Sequence, residues 1–168
     1  MIRPVKPTEL AALADVAANS FADAFGDGFD AETLQDILAN TRSKNYFEEA
    51  LDHDDVLVET GSGGILGYVQ FGDADPGEVP AGPGDQHLRR LYVATDSHGQ
   101  GIGRRLLEAA LAHPRLAEAP HIYLTVWEKN VRALRLYESV GFRRSGTVPI
   151  DLGGGKTDEE LVMRKSNI

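Results

Sequence analysis

Gly99, Gly101 and Gly103, three glycines at alternate positions, carry the clearest chemical signal in the sequence. They follow the strand formers Leu91, Tyr92 and Val93. After them Ile102, Leu106, Leu107, Ala110 and Leu111 recur at helical spacing. That order predicts a strand, a glycine turn and a helix. Glycine lets the backbone approach a ligand closely and adopt positive φ. A helix that begins there presents unpaired N–H groups and the positive end of its dipole. The fitting chemistry is anion binding, phosphate above all. Arg104 and Arg105 in the first turn would be unfavourable with nothing negative nearby. The plain alternative is a glycine-rich turn that holds nothing.

Two familiar phosphate loops fail. A dinucleotide fingerprint needs Gly-x-Gly-x-x-Gly, whereas the spacing here is Gly99-x-Gly101-x-Gly103. A P-loop ending at Gly155-Lys156-Thr157 would need a glycine where Ile150 stands. The run His98-Gly99-Gln100-Gly101-Ile102-Gly103 instead resembles the pyrophosphate loop of the Gcn5-related N-acetyltransferases, with His98 in the place usually held by Arg or Gln. A second block resembles the same family: Trp127-Glu128-x-Asn130-x-x-Ala133-x-x-x-Tyr137-x-x-x-Gly141-Phe142. The likeness covers nearly the whole chain in element order.

The resemblance implies an α+β, three-layer fold. Its mixed, mainly antiparallel sheet of about seven strands is flanked by helices, and the two middle strands splay apart after Val93 and before Trp127. It places acetyl-CoA in the splay. Backbone groups of the Leu91-Tyr92-Val93 strand would pair with the pantetheine arm. His98 and the amides of Gly99, Gln100, Gly101, Ile102, Gly103 and Arg104 would hold the pyrophosphate. Asn130 would face the arm from the other side. Tyr137 matches the tyrosine that protonates the leaving thiolate. A phenol of pKa about 10 can donate to a thiolate of about 8.5 when the two are held close. The plain alternative is a packed helix tyrosine. His87 occupies the place where many relatives carry a glutamate base, with Glu128 and Asp85 as alternatives. The chain has no cysteine, which agrees with direct attack of an amine on the thioester.

The segments Val126–Phe142 and Gly146–Arg164, with Phe21 and Phe25, resemble the bacterial spermidine/spermine acetyltransferases. A polyamine is therefore the favoured acceptor. A peptide N-terminus, bound in a groove near the 72–86 loop, is a second reading. A non-catalytic acyl-CoA sensor is a third, and the presence of Tyr137 speaks against it.

The elements that must position these groups follow from pattern. Ile2–Lys6 predicts an edge strand, and the stripe Leu10, Leu13, Val16, Ala17, Phe21, Ala24 a helix ending at Phe25. Shorter helices are expected over Glu32–Ala39 and Ser43–Leu51, their aromatics forming either one pocket wall or plain core. Val56–Glu59 and Ile65–Phe71 predict a hairpin around Gly61–Gly64. Gly72–Gln86 is expected to be a long, mobile loop with a functional role. His113-Pro114 ends the glycine helix, and His121–Trp127 is a buried strand. Asn130 caps the next helix and Gly141 stops it. Phe142–Ile150 and Glu160–Lys165 are the last two strands.

One domain, 1–168, accommodates all of this. Hydrophobic residues make up 42% and charged residues 26%, as in soluble globular proteins. No run reaches membrane-span length, and the N-terminus lacks a signal-peptide core, so the expected compartment is the cytoplasm. A net charge of −9 argues against nucleic acid and suits a cationic acceptor. His53 has no second histidine at ligand spacing, so no metal is expected. A monomer or a homodimer is expected.

Overall fold

The computed structural model describes all 168 residues, Met1–Ile168. In chain order the strands and helices are β1 (Ile2–Pro4), α1 (Leu10–Phe25), α2 (Ala31–Thr41), α3 (Lys44–Ala50), β2 (Asp54–Gly61), β3 (Gly64–Asp73) and β4 (Gln86–Val93). They continue as α4 (Ile102–Ala112), α5 (Pro114–Ala117), β5 (His121–Trp127), α6 (Val131–Ser139), β6 (Arg143–Gly153) and β7 (Lys156–Ser166). The seven strands form one sheet in the order β1-β2-β3-β4-β5-β7-β6. Every pairing is antiparallel except that of β4 with β5. The α+β class and the mixed sheet agree with the sequence reading.

Alternation along the central strands builds the layers. Val56, Val58 and Tyr68 face one side, where Leu10, Leu13 and Ala17 of α1 and Phe47 of α3 cover them. Leu57, Val69 and Phe71 face the other side, under Ile102, Leu106, Leu107 and Ala110 of α4. Both faces of the sheet are thus buried, which is why these strands read as continuous apolar runs. No helix is long and apolar enough to cross a membrane.

The separation of β4 from β5 differs from expectation. The two pair only at Gln86↔Ile122 and His87↔Tyr123. They part from Leu88 onward, not after Val93. The cause is a bulge in β4. Gln70 pairs with Arg90 and Phe71 with Leu88, so Arg89 has no partner on β3. A bulge bends its strand and adds twist, which turns β4 away from its neighbour.

The loop between β3 and β4 also differs. Val79 is buried against Tyr123 and Val162. Asp85 accepts a hydrogen bond from the Gly82 amide and pairs with His121 Nδ1 at 3.1 Å. The loop is therefore anchored, at the end of the sheet where β4 and β5 still pair. The helix α5 was not foreseen; Pro114 starts it, with the His113 ring accepting from the Arg115 amide.

Helix α2 has no buried residue and is held at its ends. Its N-cap Asp30 donates its amide to the Leu152 carbonyl at 2.9 Å. Gly153, at φ +80°, lies so close that a Cβ there would come within 2.0 Å of Thr33 Oγ1. At the other end Arg90 Nη1 donates to the Thr41 carbonyl.

Candidate active site

Two cavities occupy the cleft where β4 and β5 part. The first, of about 330 Å³, lies beneath α2 and the β6–β7 tip. The second, of about 360 Å³, lies beside the glycine turn. They share Phe25, Leu91, Tyr92, Asn130, Ala133 and Tyr137, so they are two halves of one groove.

The second cavity is built from the turn that the sequence singled out. Gly99 and Gly101 take φ of +81° and +75°, and Gly101 is the N-cap of α4. A side chain at either position would be strained. The backbone N–H groups from Gly99 to Arg104 donate to no backbone carbonyl. They form the bare donor end of an 11-residue helix whose first turn contains no acid. Leu91, Tyr92, Val93, His98, Gly99, Gly101, Ile102, Gly103, Arg104 and Asn130 all line this cavity. Gln100 does not; its carbonyl accepts from Arg105 Nη1 at 2.8 Å. Arg105 itself pairs with Glu59 at 2.8 Å, so Arg104 is the arginine of this turn that reaches the cavity. His98 Nε2 lies 3.0 Å from the Val93 carbonyl, which ties the turn to the end of β4. Asn130 caps α6 through its Oδ1, 3.2 Å from the Ala133 amide.

Tyr137 sits where the halves meet. It is 8% exposed, and no hydrogen bond within the protein perturbs its hydroxyl. Burial, and then the neighbouring Tyr92 hydroxyl, push its phenol well above the usual range. The group is thus a retained proton donor facing a cleft.

His87 is placed differently from the other candidates. It lines neither half. It lies at the last paired position of β4, below the splay, 7% exposed. Its Nδ1 is 3.0 Å from Arg89 Nη1 and 3.2 Å from Glu78 Oε2. Burial and the Arg89 charge hold its pKa below the ordinary value. Its distance from the cleft follows from the strand parting above it. Asp85 is engaged with His121, and Glu128 is an exposed turn residue. Neither lines the groove.

The acids that do line the first cavity are Asp151 and Glu160, from the β6–β7 hairpin. Both were missed, as were Arg42 and Arg90 on the same walls. Nothing in their local sequence marks them, because each belongs to a different element. Of the aromatics on the early helices, Phe21 and Phe25 form a cavity wall, joined by Phe29. Tyr46 and Phe47 belong instead to the core beneath α1.

Known proteins match this chain along most of its length. A Bacillus subtilis protein named spermine/spermidine N(1)-acetyltransferase is 30% identical over 95 residues, covering 56% of this chain and 61% of its own. The chain thus spans under two thirds of that relative. An uncharacterized N-acetyltransferase of Mycobacterium tuberculosis is 29% identical over 160 residues, covering 94% and 98%. The crystal structure of the PaiA N-acetyltransferase from Thermoplasma acidophilum in complex with coenzyme A superposes with a TM-score of 0.78 at 18% identity, over 99% and 98% of the chains. The model of the acetyltransferase (GNAT) family matches residues 11–142, and the chain, with its splayed β4–β5 cleft and glycine turn, belongs to that family.

Proposed function

We propose that this protein transfers the acetyl group of acetyl-CoA to the primary amine of a small molecule by direct attack. The observation that carries the reading is Tyr137 at the junction of the two cavities, its hydroxyl making no hydrogen bond within the protein. Acetyl-CoA supplies an acetyl thioester, the electrophile for a neutral amine. The glycine turn fits such a ligand. Its consecutive amides, Gly99 to Arg104, are oriented donors for a pyrophosphate, and Arg104 adds charge beside them. Tyr137 gives its Oη proton to the departing thiolate. Glu160, an acid that lines the first cavity, takes the ammonium proton, directly or through water. Asn130 fixes the start of α6 and thereby the position of Tyr137 along it.

Two acceptors and a reading without turnover compete. The polyamine reading is supported by the Bacillus relative and by the net charge of −9. The cavity lining opposes it, since Arg42 and Arg90 face the same space. A peptide N-terminus bound near the 72–86 loop has less support, because Val79 packs that loop against Tyr123 and Val162 and none of its residues 72–86 lines either cavity of the cleft. A sensor without turnover has no use for a buried proton donor at the junction. The decisive experiment is a screen of purified protein against amines, amino acids and peptides with acetyl-CoA, reading free CoA. Amine-dependent CoA release is expected. Tight acetyl-CoA binding with no release for any class of acceptor would leave the sensor reading in its place.

A further inference from the structure

The cavity beneath α2 contains a charge that the protein does not compensate. Arg42 is 9% exposed, and its Nε is buried with no hydrogen-bond partner. Its guanidinium lies 4.2 Å over the Phe21 ring and donates from Nη1 to Thr41 Oγ1 at 2.6 Å. Beside it Arg90 stacks over Tyr46 at 4.5 Å and donates to the Thr41 carbonyl. Neither arginine makes an ion pair, and the charge of Arg90 is among the forces lowering the pKa of Arg42. The other partly buried arginines all have their acids: Arg3 with Glu9, Arg89 with Asp54 and Arg115 with Asp55. A buried guanidinium held against a second one, with a threonine hydroxyl and aromatic side chains but no acid for company, is an unfavourable arrangement within the isolated chain.

The same cavity is also lined by acids. Asp151 and Glu160 come from the β6–β7 hairpin, and neither is paired with a lysine or an arginine. Phe21, Phe25, Phe29 and Trp127 line it as well. Unpaired cations, unpaired acids and aromatic surface around one space complement a small zwitterion. A polyamine would set an ammonium against two unpaired guanidiniums.

We propose that the acceptor is a free amino acid or a close analogue, and that Arg42, assisted by Arg90, binds its carboxylate while the amine faces Glu160 and Tyr137. The proposal rests on the acetyl-transfer reading and names the acceptor class for it. A planar guanidinium that lines the cavity without an ion pair matches a carboxylate. A site with buried donors that expect such a group rejects analogues that lack it, because the donors are then left unpaired.

The test uses the full chain, as wild type and as Arg42→Met. The probes are the proteinogenic amino acids, their amides, phosphoethanolamine and spermidine. Wild type should acetylate at least one amino acid, with kcat/KM at least about tenfold above that of its amide. In Arg42→Met the KM for that amino acid should rise more than about tenfold, with kcat and the acetyl-CoA dissociation constant little changed. Its melting temperature should not fall, since an uncompensated charge has gone. The preference for acid over amide should vanish. Equal use of acid and amide by wild type, better use of spermidine or phosphoethanolamine, or an unchanged amino-acid KM in the variant would each overturn the proposal. A variant with a lower melting temperature and weaker acetyl-CoA binding would make Arg42 structural and overturn it too. Calorimetry of the same amino acids with the CoA-bound protein separates this proposal from acetyl transfer. Amino-acid binding lost in Arg42→Met would uphold the subsite even without turnover, and no binding to wild type would overturn it.

Discussion

The cavity beside α4 takes its row of backbone donors from one continuous turn, Gly99 to Arg104, with Asn130 and Arg132 at the start of α6 lining it as well. The cavity beneath α2 takes Arg42, Arg90, Asp151 and Glu160 from separate elements, and its polar groups are charged side chains. The first half needs only a glycine turn in the right conformation, so its chemistry is carried by φ values and a helix terminus. The second half exists only when α2 is held across the sheet by Leu152, Gly153 and Arg90. The contrast has a consequence for acceptor choice. On the proposed reading, the backbone half should tolerate changes of side chain that leave the turn intact, whereas the side-chain half should change its preference with a single charge.

Tyr137→Phe acts at the junction and should have the largest effect. The ring packing against Phe142 is kept and only the proton donor is lost. Turnover should fall by roughly 10²-fold or more, with little change in the KM for acetyl-CoA. Near-normal turnover at saturating acetyl-CoA would show that another group supplies the proton. Because burial raises the phenol, wild type should also show no alkaline fall in rate from this group below about pH 10.

Gly101→Val breaks the backbone half alone. Position 101 has φ +75°, which a β-branched residue does not adopt without strain. Acetyl-CoA affinity by calorimetry should drop more than about tenfold, while the acceptor KM at saturating acetyl-CoA stays near wild type. An unchanged affinity would remove this turn from the cofactor site.

Gly153→Val is the counterpart in the other half. The new side chain meets Thr33 and Asp30 and pushes the β6–β7 tip away from α2. The acceptor KM should rise about fivefold to tenfold, on the scale expected for a displaced wall, with acetyl-CoA binding unaffected. If both constants moved together, the halves would not be independent.

His98→Arg should do least. The imidazole bonds to the Val93 carbonyl, a contact an arginine can also make, and the amides remain in place. The acetyl-CoA dissociation constant should change by less than about tenfold, or about 1.4 kcal/mol. A larger shift in a calorimetric titration would give the side chain a direct part in recognition.

The sequence alone determined what is local. Glycine punctuation and helical spacing marked the turn and α4, and Asn130 marked the start of α6, because caps and positive φ are properties of a few adjacent residues. The place of Tyr137 on α6, at a set distance from that cap, was legible for the same reason. Tertiary structure decided the rest. The bulge at Arg89 depends on the register of β3, and it moved the start of the splay to Leu88, leaving His87 outside the cleft. Arg42 reads in sequence as an ordinary charge near a helix end. Its significance arises because α2 buries it over Phe21 and against Arg90 with no acid in reach. Whether a charge is compensated depends on neighbours brought from elsewhere in the chain, and spacing along the sequence does not encode that.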